Sequence, residues 1–245
     1  MNRLDIEPVE LPRLGERHDH LWTVLCDLGD AHDENWTVIG GQMVMLHALE
    51  AGRPPSRVSE DIDTVIDTRV RPPALNLFLG TLADLGFTSA GVSPDEVAHR
   101  FVRDEVHIDV LGPDGLGQRA DLRTVGNATT IEVRGGTQAL ERAELLPIRH
   151  NERVAYVPRP NLLGAIVIKA AAVNNDSNPR RHVRDVAFLC SLVDDPLVLR
   201  QSMTRKDRQR LTAVRALHDR NHEAWRLLDD AELGFAVFNL LIATV

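Results

Sequence analysis

The chain has 245 residues and a formal charge of −8, with 43% hydrophobic and 26% charged residues. Those proportions exclude a disordered or collagen-like chain, and at roughly 100–200 residues per domain the length allows one large or two small domains. Met1 to His20 is polar and charged, and no run reaches the ~18 apolar residues of a membrane-spanning helix, so the expectation is a cytoplasmic chain with no membrane partner.

Residues 15–30 carry the apolar spacing of an amphipathic helix through Leu21, Trp22, Leu25 and Leu28. Asn35 to Leu49 then reads as a short buried strand, a turn at Gly40-Gly41, and a helix. Glycines let a backbone come close to a ligand, and a helix N-terminus offers unpaired N–H groups to a phosphate. Ala51 to Val58, with Pro54-Pro55, reads as a loop.

From Asp61 to Ile66 apolar and polar residues alternate as in a strand, which places Asp61 and Asp63 on one face. Adjacent carboxylates repel, and a hard cation such as Mg²⁺ offsets that by taking their oxygens together with those of substrate phosphates. A sheet edge with two solvated acids is the plainer alternative.

Arg71-Pro72-Pro73 opens a predicted helix through Leu75, Phe78, Leu82 and Leu85, closed by Gly86. Phe87 to Val92 is a possible strand. Ala98 to Leu111 reads as two strands joined by a tight turn near Asp104-Glu105, with His107 and Asp109 on one face of the second. Asp109 is a candidate third carboxylate beside the Asp61 strand or a surface-facing acid, and His107 reads as a packing or hydrogen-bonded residue and not as a ligand. Gly112 to Gly117 lacks the Lys-Ser/Thr of a P-loop and reads as a turn. Strands are predicted over 128–134 and 153–157, with a short helix over 137–142 between them.

From Pro160 onward the pattern is helical. Lys169 interrupts a strongly apolar helix of Leu162 to Ala172, and Asn174 to Pro179 breaks it. The next helix starts near Arg180, with an apolar stripe of Val183, Val186, Ala187 and Cys190 and a polar one of Arg181, Arg184 and Asp185. Two or three further helices fill 196–242, one starting in the basic run Arg205 to Arg210. Cys26 and Cys190 sit in apolar helical patterns and read as core residues, not as a disulfide or zinc site.

Only Lys169 and Lys206 are lysines among 28 basic residues. A lysine is a compact point charge suited to phosphate, whereas arginine is a planar fork, so Lys169 is a candidate phosphate ligand or else a side chain snorkelling to the helix surface. Arg181 and Asp185, at i,i+4, could also be a plain solvated pair. Charge is uneven: residues 1–148 carry 13 Lys/Arg against 25 Asp/Glu, residues 149–220 carry 14 against 7, and residues 221–245 carry 1 against 4. A basic stretch of this kind fits a polyanion partner or merely solvated helices, and the net acidity argues against tight nonspecific nucleic-acid binding.

Val38-Ile39-Gly40-Gly41 followed by Ser59-Glu60-Asp61-Ile62-Asp63 resembles the nucleotidyltransferase superfamily of the DNA-polymerase-β type. The form Gly-Gly … Arg-x-Ser-Glu-Asp-Ile-Asp is most similar to its AbiEii-type toxin branch, which includes the MenT-type tRNA-modifying toxins. A lysine on one helix with an Arg-Asp pair opening the next is similar to that branch's C-terminal motifs. The resemblance spans about residues 36–193 and implies an α+β fold. A mixed-sheet nucleotidyltransferase domain over 1–158 would be followed by a helical bundle over 159–245 that completes the site. It implies Mg²⁺ (or Mn²⁺) on Asp61, Asp63 and Asp109, with Asp109 serving a second ion or as base. Gly40, Gly41 and Ser59 would hold the NTP phosphates. Lys169 would contact them, Asp185 would complete the pocket, and Arg181 or Arg184 would stand nearby. The interval from Gly41 to Asp61 is longer than in compact members, which leaves the position of Arg57 open. The implied activity is transfer of NMP to a tRNA 3′ end by a toxin with a separately encoded antitoxin. A small-molecule or protein acceptor, or a nucleotide-binding module without catalysis, are the alternatives.

Overall fold

The computed structural model describes residues 1–243 apart from 56, 70–72, 118–119 and 177. Arg71 and Pro72 of the predicted helix start, and Ser177 of the predicted break, therefore lie outside the described residues.

Strands β1 (Asn2–Arg3) and β2 (Val9–Glu10) precede helix α1 (Glu16–Ala31), which buries the predicted stripe of Leu21, Trp22, Leu25 and Leu28. Strand β3 (Trp36–Ile39) is buried at every position and runs directly into α2 (Gly40–Glu50). Strand β4 (Asp61–Ile66) follows, then α3 (Ala74–Asp84), beyond which Gly86 turns the chain at φ 84°. Strand β5 is only Thr88–Ser89, shorter than the pattern implies. Strands β6 (Arg100–Arg103) and β7 (Val106–Pro113) form the predicted hairpin, with Asp104 at φ 52° in its turn. Short strands β8 (Arg123–Val125), β9 (Ala128–Thr129) and β10 (Glu132–Val133) lead to α4 (Gly136–Glu141).

A long hairpin of β11 (Ala143–His150) and β12 (Arg153–Pro160) comes next. Sequence patterning misses β11, which carries Pro147 in mid-run, a residue uncommon inside a sheet. Here β1 pairs with Glu144 and Leu145 while β2 pairs with Ile148 and Arg149. Pro147 falls in the interval between the two. Helices α5 (Leu162–Ala172), α6 (Pro179–Ser191), α7 (Pro196–Gln201), α8 (Arg205–Thr212), α9 (Glu223–Arg226) and α10 (Ala231–Ile242) complete the chain.

The fold is α+β. Among the described residues the main sheet has the order β3-β4-β7-β6-β5, with β10 beside the end of β7. β4 and β7 are parallel, and β3 and β6 flank them antiparallel. A second sheet of β1, β2, β11 and β12 adjoins it, where the Thr37 hydroxyl donates to the Pro158 carbonyl at 3.2 Å. One apolar cluster draws on both halves of the chain, from Val9 to Leu241. Cys26 and Cys190 are buried in it as free thiols, and burial pushes them up to about 11 and about 12. Among the described residues no helix is long and apolar enough to cross a membrane.

Close packing of α1 on the second sheet depends on Gly29, where an added Cβ would lie 2.5 Å from the Tyr156 carbonyl oxygen. In a helix interior Gly→Ala ordinarily gains up to ~1 kcal/mol. Gly29→Ala is expected to reverse that sign and lower the midpoint of urea unfolding, because the β12 backbone must move to admit the methyl group.

Candidate active site

Parallel pairing of β4 with β7 sets Asp61 opposite His107 and Asp63 opposite Asp109. Asp61 and Asp63 are two apart on one strand, and all four side chains therefore leave the same face of the sheet. The structure thus brings the three carboxylates of the sequence reading onto one surface. His107 Nδ1 lies 3.4 Å from Asp61 Oδ1, so His107 accompanies the acids as a polar neighbour of Asp61.

Asp63 bears the electrostatic load. It keeps part of its surface accessible, yet enough protein surrounds the carboxylate to push it up to about 6. Desolvation is the first cause, followed by the charge of Asp109; Lys169 opposes the shift, Asp61 adds to it, and Arg181 opposes it.

Asp109 is answered differently. Antiparallel pairing of β6 with β7 puts Arg100 directly opposite it. Arg100 Nε donates to Asp109 Oδ1 at 2.7 Å and Nη2 to Oδ2 at 2.8 Å, a bidentate fork. Arg100 Nη2 is also 3.9 Å from Asp61 Oδ2. The hydrogen bonds to Asp109 hold the guanidinium's proton more tightly than usual. Sequence reasoning passed over Arg100, although the signal was present: a turn centred on residues 104–105 pairs 103 with 106 and therefore 100 with 109.

The glycines stand against the acids. Gly40, at φ 65°, packs so tightly on Asp63 that a Cβ would collide with its Oδ2. A Cβ on Gly41 would collide with Ser59 Oγ and come within 2.9 Å of Arg57 Nη2. The N-cap of α2 is Ile39, whose side chain cannot cap the first N–H groups of the helix, and Gly40, its first residue, packs on Asp63. Ser59 is fixed from behind: Gln42 Nε2 donates to its carbonyl at 2.9 Å, and His18 Nε2 lies 3.2 Å from the same oxygen.

Lys169 and Asp185 are both buried, not exposed on helix surfaces. Their Nζ and Oδ2 are 2.6 Å apart, on α5 and α6. Among the described residues the second oxygen of Asp185 has no hydrogen-bond partner, and Arg57 Nη2 stands 3.6 Å from the first. Arg57, left open by the sequence, thus reaches between Gly41 and Asp185. Arg181 does not pair with Asp185; it and His182 both bind Asp176. Arg184 pairs with Glu223 at 3.3 Å, while Arg181 still acts on Asp63 through its charge and Arg57 is the arginine that approaches Asp185.

The donor set fits a hard cation in part. Asp61 and Asp63 supply oxygens on one face. Both oxygens of Asp109 are already taken by Arg100, and among the described residues no group of three or more His, Cys, Asp or Glu is arranged to hold a metal.

No protein-family model and no curated protein matches this sequence. Among solved structures the chain is similar to an antigenic nucleotidyltransferase-like protein from Paracoccidioides brasiliensis, with TM-score 0.49 and 17% identity over 80% of this chain and 87% of that one. It is also similar to ANT(2″)-Ia in complex with adenylyl-2″-tobramycin, with TM-score 0.46 and 13% identity over 83% of this chain and 100% of that one.

Two outcomes follow from these charges. The folded state holds the Asp63 proton to higher pH than the unfolded chain does. Stability of the metal-free protein should therefore be full below about pH 4 at this group and fall as pH rises through about 6. Thermal melts in EDTA across that range check this, and Asp63→Asn should flatten the slope. Lys169→Met leaves the Asp185 carboxylate buried without its ammonium, which should cost about 3–5 kcal/mol in denaturant unfolding, with much of the loss regained in Lys169→Met/Asp185→Leu.

Proposed function

We propose that the protein is a nucleotidyltransferase that moves a nucleoside monophosphate from an NTP to a hydroxyl, with a tRNA 3′ end as acceptor. Its biological role on this reading is that of the toxin of a toxin–antitoxin system, countered by a separately encoded antitoxin. The observation that carries the chemistry is the convergence of Asp61 and Asp63 with the uncapped, glycine-floored start of α2. The motif resemblance of the sequence supplies the reaction class.

Asp61 and Asp63 would hold Mg²⁺ (or Mn²⁺). Such an ion, when bound, neutralises the triphosphate and favours departure of diphosphate. Gly40 and Gly41 leave room for terminal phosphates to approach the backbone N–H groups of α2, and the Ser59 hydroxyl borders the same space. Arg57, with one end over Gly41, reaches the phosphates from the other side. Lys169 lowers the charge felt at Asp63 and, preorganised by Asp185, offers a fixed positive group to the transition state. The acceptor oxygen bonds to the α-phosphorus, the bond from that phosphorus to the diphosphate oxygen breaks with its electron pair, and the hydroxyl proton passes to solvent.

An RNA acceptor is supported by the basic helices. Two clefts of about 670 Å³ lie over them, one lined by Arg205, Arg208 and Arg215 and the other by Arg180 and Arg215. Neither cleft includes the carboxylates, and both are mostly apolar in lining, so on this reading their arginines would carry the contact with a long polyanion.

Incubation with Mg²⁺, each labelled NTP and total RNA is expected to label RNA, with the label falling by at least about a hundredfold in Asp61→Ala. Transfer to an aminoglycoside or a protein substrate instead would keep the chemistry and change the acceptor. No transfer to any acceptor, or equal transfer by Asp61→Ala, would overturn the reading.

A further inference from the structure

We propose that the guanidinium of Arg100 takes the place of a second divalent cation, so that this site works with one ion, held by Asp61 and Asp63. The proposal rests on the nucleotidyltransferase reading above and concerns how its charge is balanced.

Three carboxylates converge here, which is the number a two-ion site uses. Arg100 and Asp109 change the count. They face each other across the β6–β7 hairpin, and the fork takes both Asp109 oxygens at 2.7 and 2.8 Å. Nη2 reaches on toward Asp61, to 3.9 Å, and so lies between the outer acid and the inner one. A magnesium ion on Asp109 would need the same oxygens at ~2.0–2.1 Å in near-octahedral geometry. It would also sit beside a fixed positive charge. Among the described residues Asp63, by contrast, has no guanidinium or ammonium bonded to it, and Lys169 and Arg181 oppose its charge at a distance. Asp63 is therefore the carboxylate that a divalent cation would serve, with Asp61 beside it on the same strand, where Arg17 and His107 stand at 3.9 and 3.4 Å.

Arg100 has the means to serve as the other cation. Its side chain is 42% exposed while that of Asp109 is 12% exposed, so the carboxylate anchors a fork whose outer edge faces the solvent side of the pocket. A guanidinium spreads one charge over several N–H donors, which suits non-bridging phosphate oxygens or an attacking hydroxyl oxygen. Unlike a metal ion it does not ionise a bound hydroxyl, so its part is to neutralise and orient.

The test is Mn²⁺ titration of the full chain, with free Mn²⁺ followed by electron paramagnetic resonance and folding checked by thermal melts. The native protein is expected to bind one Mn²⁺, which Asp61→Ala loses. Asp109→Asn should keep that ion within about threefold in affinity, since Asp109 is not its ligand. Arg100→Gln should gain a second Mn²⁺, which Arg100→Gln/Asp109→Asn lacks, and Arg100→Lys, keeping the charge, should stay at one. Two ions on the native protein, loss of the ion in Asp109→Asn, or a single ion on Arg100→Gln would overturn the proposal while leaving the nucleotidyltransferase reading intact. Absence of Mn²⁺ binding by native protein and Arg100→Gln alike would overturn both.

Discussion

Like charges at one register of two parallel strands are the constraint on which the rest of this structure turns. Asp63 and Asp109 are forced together by backbone pairing, with Asp61 one step along. Pairing of this kind is unfavourable unless cations are close. The fold answers each acid from a different element. Arg100 comes from the next strand, Lys169 from a helix more than a hundred residues on, and Arg17 of α1 bonds Glu60 at 2.8 Å and stands 3.9 Å from Asp61. Asp63 is the acid left with the least direct answer, and its shift toward the protonated form comes first from burial and then from the charge of Asp109.

Lys169 and Asp185 extend the same logic into the helical half. A buried ion pair of this closeness gives little net stability, since desolvating both charges offsets most of their attraction. What it does give is a fixed position for the ammonium group, held at 2.6 Å within an otherwise apolar α5. The uneven charge along the chain then has an internal meaning beside any external one. Part of the positive charge of the later helices is directed at acids of the earlier sheet.

Much of this was legible in the residues. Alternation from Asp61 to Ile66 and the apolar stripe of α6 both describe the packing found, because each follows one local period. Pairing partners were less accessible. Hairpin arithmetic would have delivered Arg100 opposite Asp109, but nothing local sets β4 beside β7 in parallel, since the long connection between them carries no register signal. For Asp185 helical spacing and resemblance pointed apart: spacing groups it with Arg181 on a polar stripe, whereas tertiary packing turns it inward to Lys169 and sends Arg181 to Asp176. β11 was missed, and its edge is shared by two separate short strands on either side of Pro147, which no local pattern announces.

The scarcity of lysine has a chemical corollary. Lys169 is enclosed and ion-paired, while Lys206 lies exposed at the start of α8. Reagents and enzymes that modify lysine amines therefore meet a single accessible side chain on this protein. Acylation there would remove one charge from a basic helix and leave the ammonium beside the carboxylates beyond reach for as long as the fold holds.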